Sequence, residues 1–254
     1  MLKGLYAAAS AMLANLNQQS ILSHDLSNLE TPGFREVLTR LQPWETTSVA
    51  SSPMDDPAQR ARLLGELGLG VEPGDTASDF TQGPLEQTSQ PLDLAINGTG
   101  FFTVQTPQGT RYTRDGRFER DANGQLVTVD GYKVLDANGA PLSLADGQVA
   151  IGPNGQITVD GTAAGKLGVA NFANPTTDLT RDPQAGNLFV AGTAPAGGSA
   201  GTVQQGYLEM SNVDVSQIMT EMVSVGRAYE AAQRMVQAQD TLLGQSINSL
   251  GSWS

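Results

Sequence analysis

The stretch QIMTEMVSVGRAYEAAQRMVQAQDTLLGQSINSL, residues 217–250, decides the fold of one end of the chain. Its apolar and small residues alternate steps of four and three, the spacing of the seam of a coiled coil. The seam positions are Ile218, Met222, Val225, Tyr229, Ala232, Val236, Gln239, Leu243, Ser246 and Leu250. The pattern predicts one long C-terminal helix with a single packing face.

The other end of the chain has the same rhythm. Its seam runs through Leu2, Leu5, Ala9, Met12, Leu16, Gln19, Ser23 and Leu26. The helix is expected to stop at Thr31-Pro32-Gly33, where proline cannot continue a helix and glycine can adopt a positive φ. Two amphipathic helices packed on an ordinary core would give similar spacing over short spans. We favour a coiled-coil pair because polar residues such as Gln19 and Gln239 occupy seam positions, so that neighbours are needed to complete the apolar stripe.

The segment between the helices has the pattern of β-structure. Short runs rich in β-branched residues, such as QLVTV from 125 and QITV from 156, alternate with Asn-Gly and Asp-Gly pairs that favour tight turns. We expect an α+β chain: a discontinuous domain of paired N- and C-terminal coiled-coil helices plus a central antiparallel β domain. The expected bounds are 1–40 with 206–254 for the helical assembly domain, 41–83 for an extended linker, and 84–205 for the β domain.

Charge and composition exclude several functions. The formal charge is -12, and the residues between the two helical ends carry most of it. An acidic exterior disfavours nucleic acid and anionic membranes. The chain has no cysteine, so it has neither disulfides nor thiolate metal sites. The start, MLKGLYAAASAML, imitates a signal peptide, but the helical pattern continues through the apparent cleavage site; we expect no cleaved signal and no membrane insertion.

No group of residues has the pattern of a catalytic, metal or cofactor site. The repeated DANG at Asp121 and Asp136 lacks the later acidic ligands of a calcium loop and favours turns. The arginines between 111 and 120 are interleaved with acids, and His24 is the only histidine. We therefore expect no enzyme activity, no metal and no cofactor.

Four stretches resemble the bacterial flagellar rod and hook protein family. SNLETPGF (27–34) is similar to the signature that closes the first helix in that family. PLDLAINGTGFFTV (91–104) and YTRDGRFERDANGQLVTVDGYKVL (112–135) resemble the start of its β domain. QGYLEMSNVDVSQIMTEMVSVGRAYEAAQRMVQAQD (205–240) resembles its C-terminal helix and the segment leading into it. Glu30 and the segment VSVGRAYEAAQ (223–233) depart from the usual family pattern.

The resemblance implies a structural subunit of the flagellar basal-body rod, a tubular drive shaft that transmits torque to the hook. It implies three partners, namely copies of the chain itself, neighbouring rod and hook subunits, and the flagellar export apparatus, and an extracytoplasmic location. GQLVT, QGYLE and SNVDV favour the distal rod protein over a proximal rod or hook subunit. The expected assembly residues are Leu5, Ala9, Met12, Leu16, Ser27, Asn28, Thr31, Gly33, Phe34, Ile218, Met222, Val225, Tyr229, Val236 and Leu243.

Two alternatives from other classes stay open on the sequence. A secreted β-rich adhesin or glycan-binding module with a coiled-coil stalk would have the same order of elements. It would need an aromatic or acidic pocket, and aromatic residues are only 6% of the chain. An enzyme built on the β domain would need catalytic residues that the sequence does not offer.

Overall fold

The computed structural model describes residues 2–43, 46–50, 63–68, 70–196 and 201–251 of the 254-residue chain. It is an α+β protein with a helix at each end and a central antiparallel β region, as predicted. Within the described residues no helix is both long enough and apolar enough to cross a membrane. The chain divides into two compact units. Unit 1 comprises Met1–His24, Thr39–Thr76 and Val215–Ser254, and unit 2 comprises Asp25–Leu38 and Ala77–Asp214.

Unit 1 contains most of the two long helices, α1 (Leu2–Ser27) and α3 (Val215–Gly251). They meet where Gly4 lies against Gln239, because a Cβ atom at Gly4 would be 2.4 Å from the Gln239 Nε2. The Ser10 hydroxyl joins α1 to the strand that follows, donating to the Ala7 carbonyl at 3.0 Å and accepting from the Val71 N–H at 3.2 Å. Coiled-coil pairing along the full helices stays a prediction.

The segment expected to be an extended linker contains strands. These are β1 (Val37–Pro43), β2 (Thr46–Ala50), β3 (Leu63–Gly68) and β4 (Val71–Ser78). β1 pairs with β4, and β2 pairs with β3 in antiparallel register. Thr46, Thr47 and Val49 are β-branched residues of the kind that favour strands. Residues 44–45, 51–62 and 69 of the expected linker lie outside the described part of the chain.

Unit 2 is the β body of the protein. Its strands and one short helix are β5 (Leu85–Gln87), β6 (Leu94–Asn97), β7 (Phe101–Thr106), β8 (Gly109–Thr113), β9 (Phe118–Arg120), β10 (Leu126–Thr128), β11 (Lys133–Val134), β12 (Val149–Ile151), β13 (Gln156–Val159), β14 (Thr162–Lys166), β15 (Val169–Ala170), α2 (Pro175–Asp178), β16 (Leu179–Arg181), β17 (Phe189–Ala191), β18 (Thr202–Gln205) and β19 (Tyr207–Glu209).

The largest sheet of unit 2 has eight strands in the order β16-β17-β8-β7-β11-β10-β9, with β15 also paired to β7. A three-stranded sheet follows the order β12-β13-β14, and two further pairs join β18 to β6 and β19 to β5. The run QLVTV contains β10, and the run QITV is β13, as their alternation predicts. β5 pairs with β19 and β6 pairs with β18, both antiparallel. These pairs bring early and late strands of the unit together.

Two groups of buried side chains form the core of unit 2. The larger is aliphatic and includes Leu94, Ile96, Val104, Leu126 and Ile157, all essentially inaccessible to water. The smaller is aromatic and consists of Phe101, Tyr112, Phe172 and Phe189 with Leu179, and Phe80 packs against it. Ring centroids of neighbouring aromatics lie 5.0–6.0 Å apart in tilted or edge-on geometry, the arrangement that aromatic pairs favour.

Candidate assembly site

The turn that follows α1 folds the signature SNLETPGF onto unit 2. Backbone N–H groups of Asn28 and Thr31 donate to the Asp25 and Asn28 carbonyls, both at 3.1 Å, and Phe34 N–H donates to the Thr31 carbonyl at 3.2 Å. The Thr31 hydroxyl donates to Asn28 Oδ1 at 3.2 Å. Pro32 is fixed from outside by the Asn187 side chain, which donates to its carbonyl at 2.8 Å. The signature is therefore a structural turn held at several points.

Gly33 occupies the most restrictive position of this turn. Its φ is +70°, the left-handed conformation predicted from the sequence. Its N–H donates to the Glu209 carbonyl at 2.6 Å. A Cβ atom here would lie 2.3 Å from the backbone nitrogen of Asp115, and this neighbour cannot move aside as a flexible side chain could. Any residue other than glycine would push the turn away from the backbone of Arg114 and Asp115.

Phe34 is held between the body and an arginine. The side chain is 1% exposed. The Arg181 guanidinium lies over its ring at 4.7 Å and over the Phe189 ring at 5.6 Å, and it donates to the Arg35 carbonyl at 2.5 Å. Burial lowers the pKa of Arg181 below its ordinary value, an effect that the charge of Asp25 opposes. The aromatic residue of the signature is thus a buried anchor of the turn.

A buried ion cluster of Arg35, Glu209 and Arg114 lies directly beside the turn. Glu209 accepts from Arg35 Nη2 at 2.5 Å through Oε1 and from Arg114 Nη1 at 2.8 Å through Oε2. The side chains of Arg35 and Glu209 are completely buried and that of Arg114 is 4% exposed. Arg35 also donates to the Thr81 carbonyl at 2.5 Å, and Gly83 N–H donates to Glu209 Oε1 at 3.1 Å.

This cluster fixes the segment after α1 to the strand that precedes α3. Arg35 and Glu209 are 174 residues apart in sequence. Removing one partner of such a pair leaves a buried charge without compensation, which is strongly unfavourable. The cluster therefore determines where both ends of unit 2 are held.

The other arginines of the 111–120 run are also paired with acids. Arg111 Nε donates to Asp182 at 2.6 Å, Arg117 donates to Asp115 at 2.7 Å, and Arg120 pairs with Asp146. Because each guanidinium faces a different carboxylate, the run is not a basic patch. That the run does not bind nucleic acid stays a prediction.

The two DANG sequences form turns. Asp121 Oδ1 accepts from the N–H groups of Asn123 at 2.9 Å and Gln125 at 2.7 Å. Asp136 accepts from Asn138 and Ala140 in the same way, at 2.8 Å each. Backbone hydrogen bonds, from Gln125 and Ala140 above all, lower the pKa of the two carboxyl groups. Both aspartates thus serve their own turns, as predicted.

On α1 the predicted seam is not the face that is buried. Leu5 and Met12 are half-buried, whereas Ala9 and Leu16 are exposed. The buried positions are Ala8, Ser10, Ala14 and Leu22. Near the helix end, Ser27 is exposed and Asn28 is half-buried. Small residues lie on several sides of this helix, so the sequence defines its packing face poorly. This explains why the buried positions differ from the predicted seam.

On α3 the predicted seam lies on the more buried side of the helix. Ile218 and Val225 are buried, and Met222, Tyr229 and Val236 are half-buried. Leu243 lies in α3, and its side chain is outside the described part of the chain.

Both helices also expose large apolar side chains. On α1, Tyr6 is 69% and Leu13 is 63% exposed, and with Leu16 they follow steps of seven and three on one side of the helix. On α3 the large apolar side chains that are exposed, among those the structure describes, are Met219, Val223, Met235 and Leu242. A lone exposed apolar residue is ordinary, but a repeating series on helices is typical of a surface that another helix covers.

Sequence reasoning missed the four residues that organise the turn: Arg35, Arg114, Arg181 and Glu209. Arg35 directly follows the signature and Glu209 lies in the stretch QGYLEMSN, so both stood within or beside motifs that the sequence analysis quoted. No local pattern joins them, because their contacts are long-range. The only signal in the sequence was that these residues are charged. A charged side chain that is buried usually has a partner of opposite charge, but the sequence does not say which residue that partner is.

Large apolar side chains exposed on both long helices are typical of one class of protein, the subunit of a larger assembly. Residues 95–159 match the model of the flagellar hook protein FlgE/F/G D1 domain. Residues 204–250 match the model of the flagellar basal body rod FlgEFG protein C-terminal region. Similar curated proteins cover almost the whole chain.

The flagellar basal-body rod protein FlgG of Borreliella burgdorferi is 31% identical, with 98% of each chain aligned. FlgG of Agrobacterium fabrum is 32% identical over 95% of this chain and 97% of its own. The rod protein FlgF of Caulobacter vibrioides is 30% identical over 97% of both. The chain belongs to the flagellar basal-body rod protein family. It is a structural protein of the flagellar basal body and not an enzyme, and the FlgG relatives support the distal rod type.

Proposed function

We propose that copies of this chain polymerise into a tubular section of the rod, and that the rod transmits torque to the hook. In this proposal α1 and α3 pack against the same helices of neighbouring copies. Neighbouring rod and hook subunits bind at the ends of the section. The chain reaches an extracytoplasmic position through the flagellar export apparatus.

The observation that carries the proposal is the exposed apolar series on α1. Tyr6, Leu13 and Leu16 lie opposite the buried series of Ala8, Ala14 and Leu22. A helix of one isolated domain usually has one apolar face, toward its core. Burying a side chain such as Leu13 stabilises a complex by about 1.5–3 kcal/mol, so repeated contacts along two helices supply a large driving force for polymerisation.

Two neighbouring valines of α3 test the proposal. Val223 is 56% exposed and Val225 is 6% exposed. We expect Val223→Asp to leave the urea unfolding curve and the hydrogen exchange of the monomer unchanged, while polymers seen by electron microscopy are lost. Val225→Asp should already remove exchange protection from α3 in the monomer, because it buries a charge.

Val223→Ile is the matched control, because it keeps a branched apolar side chain. It should polymerise like the wild type. Normal polymerisation of Val223→Asp would contradict the proposed helical interface. Closed oligomers of fixed size in the wild type, in place of polymers, would favour the adhesin alternative.

A further inference from the structure

Methionine supplies all the sulfur of this chain, which has seven methionines and no cysteine. Among the side chains that the structure describes, those of Met219 and Met235 are open to water, at 55% and 56% exposure. Met12, Met210 and Met222 are half-buried. Oxidation of a thioether depends on its exposure, so the two exposed methionines of α3 are the preferred targets of an oxidant in solution.

The two exposed methionines lie on opposite flanks of α3. Ile218 is 1% exposed and Val236 is half-buried, and about five full helical turns separate them, so both lie on the same, more buried side. Met219 directly follows the first of these residues and Met235 directly precedes the second. Each methionine is therefore rotated about 100° from the buried side, in opposite directions.

Each flank also carries an exposed aliphatic residue close to its methionine. Val223 lies about one turn after Met219, and Leu242 lies about two turns after Met235. In the proposed function, α3 packs against neighbouring copies through such exposed apolar side chains. Methionine suits a contact of this kind, because its flexible apolar chain adapts to an uneven partner. A polar group added to either sulfur would therefore enter the contact on that flank.

We propose that Met219 and Met235 are sites of oxidation by hydrogen peroxide, and that their oxidation prevents polymerisation. The inference rests on the proposed function and adds a regulation of the same helical surface. The thioether sulfur attacks a peroxide oxygen, an S–O bond forms, and the O–O bond breaks. The sulfur is oxidised to the sulfoxide, and the second peroxide oxygen leaves as water with both protons. The sulfoxide oxygen is a hydrogen-bond acceptor, and burying it against a neighbouring helix costs its hydration.

The first test maps oxidation by mass spectrometry after a short exposure of the folded monomer to hydrogen peroxide. The sulfoxide should form several times faster at Met219 and Met235 than at Met222, a half-buried methionine of the same helix. In the polymer the two exposed residues should lose this advantage, because a neighbouring chain covers them. Equal rates at all three residues of the monomer would overturn the assignment of the sites. Equal rates at Met219 in monomer and polymer would overturn the link to assembly.

The second test measures the critical concentration for polymerisation before and after oxidation. Peroxide should raise that of the wild type about tenfold or more, because apolar burial is lost on both flanks. Methionine sulfoxide reductase with dithiothreitol should restore the original value, and the thiol itself leaves a chain without cysteine unchanged. Hydrogen exchange of α3 in the monomer should not change on oxidation. Loss of that protection would show that oxidation unfolds the helix, and this would overturn the proposal.

Two double variants separate oxidation from other effects of peroxide. Met219→Leu with Met235→Leu keeps the apolar surface without sulfur, and it should polymerise equally well before and after peroxide. Met219→Gln with Met235→Gln adds a polar group and should raise the critical concentration without peroxide. An equal peroxide effect on the wild type and the leucine variant would overturn the proposal, as would normal polymerisation of the glutamine variant. Failure of the untreated wild type to polymerise would instead contradict the proposed function, and the oxidation map of the monomer would still identify the sites.

Discussion

Residues 5–16 and residues 31–35 lie close together in sequence but differ in burial. Large apolar side chains of the first segment are exposed, whereas large side chains of the second are buried. In α1, Tyr6 and Leu13 are exposed to water. In the turn, Phe34 and even the charge of Arg35 are fully buried and have partners within unit 2. The difference indicates that the β body is stabilised by its own contacts, whereas the helices leave large apolar side chains exposed to water. Substitutions in the turn should therefore lower the free energy of unfolding, whereas substitutions of the exposed helical residues should affect polymerisation.

The largest effect is expected at Glu209, the carboxylate shared by two buried arginines. Glu209→Gln removes the charge and leaves Arg35 and Arg114 uncompensated, which should lower the free energy of unfolding of unit 2 by about 3–5 kcal/mol. The measurement is urea unfolding, with hydrogen exchange at β6 and β7 reporting on unit 2. Glu86→Gln is the control, since Glu86 is an exposed residue of β5, the partner strand of β19. Equal unfolding midpoints for the two variants would show that the ion cluster adds little stability.

A smaller but still large effect is expected at Gly33. Gly33→Ala combines an unfavourable positive φ with a clash against the Asp115 backbone, and should cost about 2–4 kcal/mol. Gly131→Ala separates the two causes. Gly131 also has a positive φ, +84°, but a Cβ atom there would meet nothing within 4 Å. It should lose only the conformational part, about 1–2 kcal/mol. If thermal unfolding shows the same loss for both variants, the close approach of the turn to the body does not determine stability.

The smallest effect is expected for the pair between Arg111 and Asp182. The hydrogen bond from Arg111 holds the pKa of the Asp182 carboxyl below its ordinary value, with further help from the backbone N–H of Gln184. Because the folded-state pKa is lower than the unfolded one, the stabilisation is present above about pH 4 and is lost as the pH falls through the folded-state pKa.

Asp182→Asn should therefore cost about 1 kcal/mol at pH 7 and much less near pH 2. The measurement is the urea midpoint across that range. Asp146→Asn is the comparison, because the Asp146 side chain is 92% exposed and its pair with Arg120 should contribute less. A loss for Asp182→Asn that is constant with pH would contradict the assigned charge effect.

The terminal helices and the β body could be predicted from sequence because both depend on local patterns. Alternation, Asn-Gly turns and the Thr31-Pro32-Gly33 stop are signals that a few neighbouring residues carry. The positive φ of Gly33 could be predicted in the same way, from its place in the Thr31-Pro32-Gly33 stop. The partner of Arg35 could not be predicted from local patterns. Glu209 is brought to Arg35 only by the pairing of β19 with β5 and by the turn after α1.

The packing face of α1 shows a second limit of sequence reasoning. Ala8 and Ala14 are buried while Ala9 and Leu16 are exposed. An alanine contributes little area, so a helix rich in alanine can turn several sides toward its neighbours at similar free energy. In α3, larger residues such as Ile218 and Val225 mark one side more clearly, and there the predicted seam coincides with the buried side.

The distance along the chain between Arg35 and Glu209 has a consequence for the timing of folding. Closing a loop of 174 residues carries a substantial entropic cost, and contacts of such high sequence separation form slowly. A chain that emerges from any channel with its N-terminus first cannot complete unit 2 until Glu209 has also emerged. Until Glu209 has emerged, Arg35 stays hydrated and without its buried partner, so the contact that joins the two ends of unit 2 can form only after all the residues between them have passed.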